Sequence, residues 1–389
     1  MILRAALIIE AVALSLFLLT GSTPTDARPE APSDADWSLP ALAAPADPAL
    51  GLTPYEVPLP AWMTELPVPA DNPLTHAGVD LGRRLFYDPL LSGNNTQSCG
   101  SCHLQSLAFT DGRAHSIGSE GQTVPRNAMS LVNLAWSPPY FWDGRAATLE
   151  ILATMPIEEK LEMNQPVPGL LRELQAHADY PSRFEAAFPG EGITKDTLSK
   201  ALAQFLRTLV SFRSRADELK TAAATPLEMQ GMQLMSSALP KGSPHAVVDI
   251  CNACHDHAAG GRFSNRGMGT FTTGELKTNG LTPTIDLGLG SLTAKETDSM
   301  RFKVPTIRNL TVTGPYMHDG RFATLTEVVT HYNEQIQALP GLEHPLKLAD
   351  APARLNLTPE EVEAVAATMA LFTDESFLTN PAFSNPFAP

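Results

Sequence analysis

Four cysteines fall in two pentapeptides, CGSCH (Cys99, Cys102, His103) and CNACH (Cys251, Cys254, His255). In each, two thiols stand one turn of chain apart and an imidazole follows at once. At this spacing two thiols form thioethers with the two vinyl groups of a haem. The adjacent histidine then lies under the iron as its proximal ligand. A redox dithiol does not need a histidine after it, twice over. A four-cysteine zinc site leaves both histidines without a role. Two covalently bound haem c groups are therefore expected, and they occupy the cysteines that an exported chain would otherwise oxidise to disulfides.

A second pair of stretches surrounds these motifs. PYFWDGRAATLE starts at Pro139 and PYMHDGRFATLT at Pro315, 176 residues later, with eight of twelve positions identical. The same offset pairs SLVNL (Ser130–Leu134) with TIRNL (Thr306–Leu310), and the haem motifs lie 152 apart. The pattern reads as an internal duplication of one haem domain, because a solenoid would need more copies.

The differences between the copies carry chemistry. Where the second copy has His318 the first has Trp142, which is either plain packing or a route for electrons and holes between two haems. His318 reads as a partner of a propionate or a neighbour of the second haem. Thr324 and Glu327 form a capping box, after which Leu325, Val328, Val329, Tyr332 and Ile336 recur at helical spacing. Tyr332 is then a core tyrosine or a ligand reaching the second iron opposite His255. At the matching offset the first copy has Pro156, which has no ligating atom. Such an asymmetry would leave one iron closed and the other open to substrate.

The supporting chain is ordinary globular material, 389 residues with 43% hydrophobic and 18% charged. A net charge of −15 argues against nucleic acid as a partner, since phosphates would repel that surface. Arg4 and the apolar run Ala5–Leu19, followed by TGSTPTDA, read as a secretory signal peptide over 1–24. The run is short for a membrane span, so no stable span is expected after cleavage. Residues 25–70, rich in Pro, Ala and Asp, read as a linker or a segment draped on the surface, and the tail 378–389 reads the same way.

With these residues in place the chain resembles the bacterial di-haem cytochrome c peroxidases and, within them, the MauG-like branch. The likeness is carried by LGRRLFYDPLLSGNNTQSCGSCH, FTDGRAHSIG, RNAMSLVNL, FWDGRAATLE, LEMN, the second CNACH and RFKVPTIRNLTVTGPYMHDGRFATL, over about residues 75–375. It implies a peroxidatic haem on Cys99, Cys102 and His103, with Glu162, six residues after Pro156, as the acid–base group of the distal pocket. Without the resemblance Glu162 would read as a solvated helix glutamate. A glutamine present upstream in some members is Leu152 here. Many members carry a capping histidine in a loop like SIGHG; here the loop reads SIGSEG, with Ser119 in its place. That implies a five-coordinate or water-bound first haem. His115 lies four residues earlier, either a solvated loop residue or one that reaches in.

In the MauG-like branch a tyrosine fourteen residues after the HDG histidine binds the second iron; here that is Tyr332. A phenolate is a hard anionic donor, which favours ferric over ferrous iron. The resemblance also implies calcium, held by the side chain of Asn127 and the backbone carbonyls of Thr313 and Pro315, an oxygen-only set suited to that ion. One departure stands out. The methylamine-dehydrogenase-maturing member has a tryptophan two residues before its second haem motif, where this chain has Asp249, so quinone-cofactor maturation is not expected.

The expected fold is mainly α, two cytochrome c-like haem domains related by internal duplication: 71–222 peroxidatic and 223–377 electron-transferring. The expected function is reduction of hydrogen peroxide to water at the N-terminal haem. Electrons would come through the second haem from a periplasmic donor, a small cytochrome c or a cupredoxin. Two other readings stand beside it: a MauG-like peroxide-dependent oxidase of a protein side chain, and a non-catalytic di-haem electron carrier.

Overall fold

The computed structural model describes residues 39–60, 65–218, 224–235, 247–255, 276–343, 346–348 and 351–388, the side chains of Val248, Asp249, Asn252, Ala253 and Leu348 excepted. The expected signal peptide, part of the linker, and the side chain of Asp249 lie outside the described residues. The fold is mainly helical. Its first half holds α1 (His76–Tyr87), α2 (Cys99–Cys102), α3 (Leu149–Glu158), α4 (Val167–Ala176), α5 (Tyr180–Ala187) and α6 (Lys195–Thr208). Its second half holds α7 (Pro226–Leu234), α8 (Val247–His255), α9 (Gly290–Thr293), α10 (Leu325–Thr330), α11 (Pro359–Thr368) and α12 (Glu375–Thr379). Two antiparallel pairs add minor sheet: β1 (Leu276–Lys277) with β2 (Phe302–Lys303), and β3 (Lys347–Leu348) with β4 (Ala351–Pro352).

One helix pair organises each half. In the first, α1 starts at Thr75, whose hydroxyl accepts from Gly78, and buries Leu81, Leu85 and Phe86. Helix α6 starts at a Thr194–Thr197 capping box and buries Leu198, Ala201, Leu202 and Phe205. The i, i+3, i+4 spacing of these apolar residues makes each helix amphipathic. They cross so closely that a Cβ at Gly82 would lie 2.0 Å from the Ala201 carbonyl. In the second half α7 meets α11 in the same way, and a Cβ at Gly231 would lie 2.0 Å from the Ala364 carbonyl. Only glycine permits either approach.

The correspondence extends to the loops. Asn133 and Asn309 both take left-handed conformations, φ 56° and 61°, which asparagine tolerates well. Each side chain then accepts a backbone N–H from the far end of its own half, Ser211 for Asn133 and Asp374 for Asn309, both at 2.8 Å. Tyr140 donates to the Leu134 carbonyl at 3.1 Å, and Tyr316 to the Leu310 carbonyl at 2.8 Å.

Two apolar cores result, one around Leu81, Leu85, Phe109, Phe184 and Phe205, the other around Val247, Ile250, Val365, Leu371 and Phe372. The tail does more than drape: Leu378, Ala382 and Phe383 insert into the first core. Tyr87 donates to the Phe383 carbonyl at 2.7 Å, so the end of the chain clasps the first half. In the described part of the linker, Tyr55 packs with Leu74 and Val79, while Leu39, Val57, Leu59 and Leu66 cover Val210 and Phe212. Between the halves Arg308 is buried against Asp217, with two bonds of 2.6 Å. Asp374 accepts from the backbone of Phe212 and Arg213, both at 2.9 Å.

Candidate functional site

The first pentapeptide forms the short helix α2, entered through a Ser98–Ser101 capping box. His103 follows at its end. Its Nδ1 lies 2.6 Å from the carbonyl of Phe109. A carbonyl only accepts, so Nδ1 carries the proton and Nε2 keeps its lone pair free to bind a metal. The carbonyl is aimed by two consecutive left-handed residues, Ala108 (φ 50°) and Phe109 (φ 62°), both fully buried. Non-glycine residues in that region signal local strain, which clusters at functional sites. Burial holds the His103 imidazole below its usual pKa, which favours the neutral, ligating form.

The second pentapeptide closes α8. His255 repeats the arrangement with a different partner, its Nδ1 lying 3.0 Å from the Pro305 carbonyl, and burial lowers its pKa to about 4. All four cysteines are free thiols. Burial pushes Cys99 and Cys251 up to about 12 and Cys102 up to about 11, the opposite of the lowered pKa that a redox dithiol needs.

Both pentapeptides open on one cavity of about 900 Å³. Helices α3 and α10 wall it from matching positions. Both start at a threonine whose hydroxyl caps the third residue on, Thr148 and Thr324, and the second has the expected Thr324–Glu327 box. Leu152, Ala153 and Pro156 line the cavity from α3, and Val328, Val329 and Tyr332 line it 176 residues later. Helix α10 does not run on regularly. At His331 it widens into a π-turn, His331–Gln335, which holds Tyr332. Such turns are rare and concentrate at functional sites. The Tyr332 hydroxyl is 3.5 Å from Asn279 Nδ2, and burial, then the thiols of Cys254 and Cys251, raise its pKa. Tyr332 therefore stands on the side of the second pentapeptide.

Glu162 stands on the side of the first, where its charge acts on Cys99 and Cys102. It is not a residue of α3. Pro156 sits in the last turn of that helix, and after Glu158 a tight turn presents Glu162 to the cavity. Burial raises its pKa, Arg145 partly opposes, and Glu159 adds to the rise. The loop 117–119 packs onto this turn. Ser119 N–H donates to the Glu162 carbonyl at 2.8 Å and its hydroxyl to the Met163 carbonyl at 3.1 Å. His115 is not among the residues lining the cavity. It is half-buried, with Nδ1 shielded from water and unpartnered.

Trp142 and His318 meet in the same wall, edge to face with centroids 6.5 Å apart. Trp142 Nε1–H donates to the Asn127 carbonyl at 2.9 Å, and Asn127 N–H donates to the His318 carbonyl at 2.8 Å. The His318 ring stacks on Phe302 at 3.8 Å and 10°, and its Nε2 is buried without a hydrogen-bond partner, 3.9 Å from Asp319 Oδ2. Asn127 Nδ2 donates to the Arg113 carbonyl at 2.7 Å, which turns Oδ1 the other way. Thr313 and Pro315 line the cavity as well. Among the described residues no group of three or more His, Cys, Asp or Glu is arranged to hold a metal ion.

The family model for di-haem cytochrome c peroxidase matches residues 76–224. The methylamine utilization protein MauG of Methylorubrum extorquens is 32% identical over 319 residues, 81% of this chain and 84% of that one. The cytochrome c551 peroxidase of Nitrosomonas europaea is 35% identical over 266 residues, 68% and 75% of the two chains. The chain belongs to the MauG and di-haem cytochrome c peroxidase family. A crystal structure of a MauG-like protein associated with microbial copper homeostasis matches with a TM-score of 0.69 at 33% identity, over 85% of this chain and 99% of that one.

Membership makes the protein a peroxidase-type oxidoreductase with two haem groups. The residues present fit that cofactor. Two pairs of free thiols, two neutral imidazoles with Nε2 available, and a largely apolar wall share one cavity. The family motif RFKVPTIRNL also brings Phe302, Lys303 and Arg308 to this wall. Nothing local in the motif tells which of its basic residues finds a carboxylate.

Proposed function

We propose that the protein reduces hydrogen peroxide to water on the His103 side of the cavity. Cys99, Cys102 and His103 would hold one haem c. Cys251, Cys254 and His255 would hold the other, with the Tyr332 phenol as a further ligand from the cavity wall. When bound, the haems supply the two electrons that peroxide reduction consumes. The chain supplies the proton transfer. Glu162 would accept a proton from one peroxide oxygen and deliver it to the other, which leaves as water; the remaining oxygen becomes the second water with the two electrons and two protons from solvent. Its enclosure favours this role, because a carboxyl with a raised pKa holds a proton more readily than a solvated one. Pro156 offers no ligand where Tyr332 does, and the Ser119 hydroxyl is engaged by Met163. Both leave the His103 side open to substrate, which also argues against a pure electron carrier.

The single observation that carries this reading is one cavity shared by both pentapeptides, with Glu162 by the first and Tyr332 by the second. Electrons would come from a small periplasmic cytochrome c or a cupredoxin, with Trp142 between the two sites. The halves read as two haem domains, 71–222 and 223–377, descended from one by duplication. Periplasmic location follows from the haem motifs and the expected signal peptide. No helix among the described residues is long and apolar enough to cross a membrane. A calcium ion on Asn127 Oδ1 and the Thr313 and Pro315 carbonyls would brace the seam.

A second reading has support of its own. The resemblance to the MauG-like branch, with 32% identity to the methylamine utilization protein MauG of Methylorubrum extorquens, supports peroxide-dependent oxidation of a partner protein's side chain at the same site. Steady-state turnover with a reduced donor separates the two. Peroxidase activity requires that peroxide be consumed in step with oxidation of a small cytochrome c or cupredoxin. Failure with both donor classes, in a protein that still reacts with peroxide, would overturn it in favour of a protein substrate.

A further inference from the structure

Among the described residues five basic side chains line the cavity: Arg126, Arg145, Lys277, Lys303 and Arg308. Four have carboxylate partners. Arg126 pairs with Asp143 and Asp286, Arg145 with Asp143, Lys277 with Glu343, and Arg308 with Asp217. Lys303 is the exception. Its ammonium donates to the Ser137 carbonyl and lies 5.9 Å over the Tyr140 ring, and no ion pair of the described residues reaches it. Of the wall's carboxylates, Asp143 and Asp286 are taken by arginine, and Glu162 and Glu159 exert no resolved pull on it.

Nor can the side chain withdraw to water. It is 4% exposed, and its backbone is fixed on both sides, by pairing of β2 with β1 and by its N–H donating to the Trp142 carbonyl at 2.7 Å. Burial alone lowers its pKa to about 8. A buried cation without a counter-ion is costly, and the cost is relieved when an anion arrives beside it. The group that fills this cavity brings such an anion, since each haem carries two propionates.

We propose that Lys303 pairs with a propionate carboxylate of a bound haem and thereby raises that haem's reduction potential. This rests on the cavity being the di-haem site. A positive charge beside a haem favours its reduced form, which carries one positive charge fewer.

The test uses the full holoprotein and the variants Lys303→Met and Lys303→Arg. Haem per chain is measured first. Fewer than two haems in the unsubstituted protein would sink the site reading itself. The midpoint potentials of both haems are then followed by spectroelectrochemistry from pH 6 to pH 10. Lys303→Met should lower one potential by about 59 mV, a tenfold change in the reduction equilibrium. Lys303→Arg should restore it. In the unsubstituted protein the pairing keeps the ammonium charged, so neither potential should bend near pH 8. An inflection there that Lys303→Met abolishes would show an ammonium without a carboxylate and overturn the proposal; if the Met variant folds poorly, its loss in Lys303→Arg, whose charge does not titrate in this range, shows the same. Unchanged potentials in a folded, fully loaded Lys303→Met protein would overturn it too. So would an acetate-dependent potential lost in that variant, because the anion would then come from solution.

Discussion

Pro156 and Tyr332 face one cavity from matching positions, 176 residues apart, on helices that both begin at a capping threonine. One residue has no ligating atom and the other has a phenol. The difference gives two similar halves unlike chemistry. The π-turn beginning at His331 sharpens it, since α3 has no such widening and instead ends just after Pro156.

Tyr332→Phe tests the closed side. The phenol's only described hydrogen bond is the long one from Asn279 Nδ2, so its loss should cost about 1 kcal/mol or less of stability. The absorbance and magnetic resonance spectra of the second haem should change markedly in a folded protein. Unaltered spectra would make Tyr332 a core tyrosine.

Glu162→Gln tests the open side. Peroxide turnover should fall by about 10²–10⁴-fold, the usual range for losing a positioned acid–base group, with the resting spectra retained. Turnover within a factor of three of the original would remove Glu162 from the mechanism.

The pH profile follows from the same residue. Glu162 must be deprotonated to accept the first proton, and burial raises its pKa. kcat/KM should therefore fall on acidification through a midpoint above about 4.3, the value for a free glutamate. That acid limb should vanish in Glu162→Gln. A limb that persists there belongs to another group.

Two stability predictions rest on close approach and on buried charge. Gly82→Ala and Gly231→Ala each drive a Cβ to 2.0 Å from a carbonyl of the opposing helix. Each should destabilise by about 1–3 kcal/mol in urea titrations, as overpacking does. Asp217→Ala removes the carboxylate that pairs with the fully buried Arg308 and should cost about 3–5 kcal/mol. A loss under 1 kcal/mol for Asp217→Ala would mean that the pair is open to water.

Much of this site was legible because it is local. A thiol, two residues, a thiol and an imidazole announce a haem wherever they occur, and Thr324 and Glu327 announce a helix start within four residues. The long repeat by itself sets Trp142 against His318 and Pro156 against Tyr332. What sequence did not show was decided by contacts distant along the chain. The carbonyl that fixes His255 comes from Pro305, fifty residues on. The Ser119 hydroxyl is held by Met163, and the tail buries Phe383 under α1, nearly three hundred residues earlier in the chain. The regular spacing through Tyr332 gave no sign of a π-turn, because periodicity reports which side faces inward and not how the backbone bonds. Lys303 was invisible for a related reason. A lysine in a motif reads the same whether or not a carboxylate meets it in space.

The most direct test of one open and one closed site is to mix the fully oxidised, two-haem protein rapidly with one equivalent of hydrogen peroxide and follow its absorbance. A prompt spectral change without prior reduction is the result expected from a free His103 side and a tyrosine-held second haem. No reaction until one haem has been reduced would contradict that arrangement and point to a capped first site, with His115 the first residue to replace.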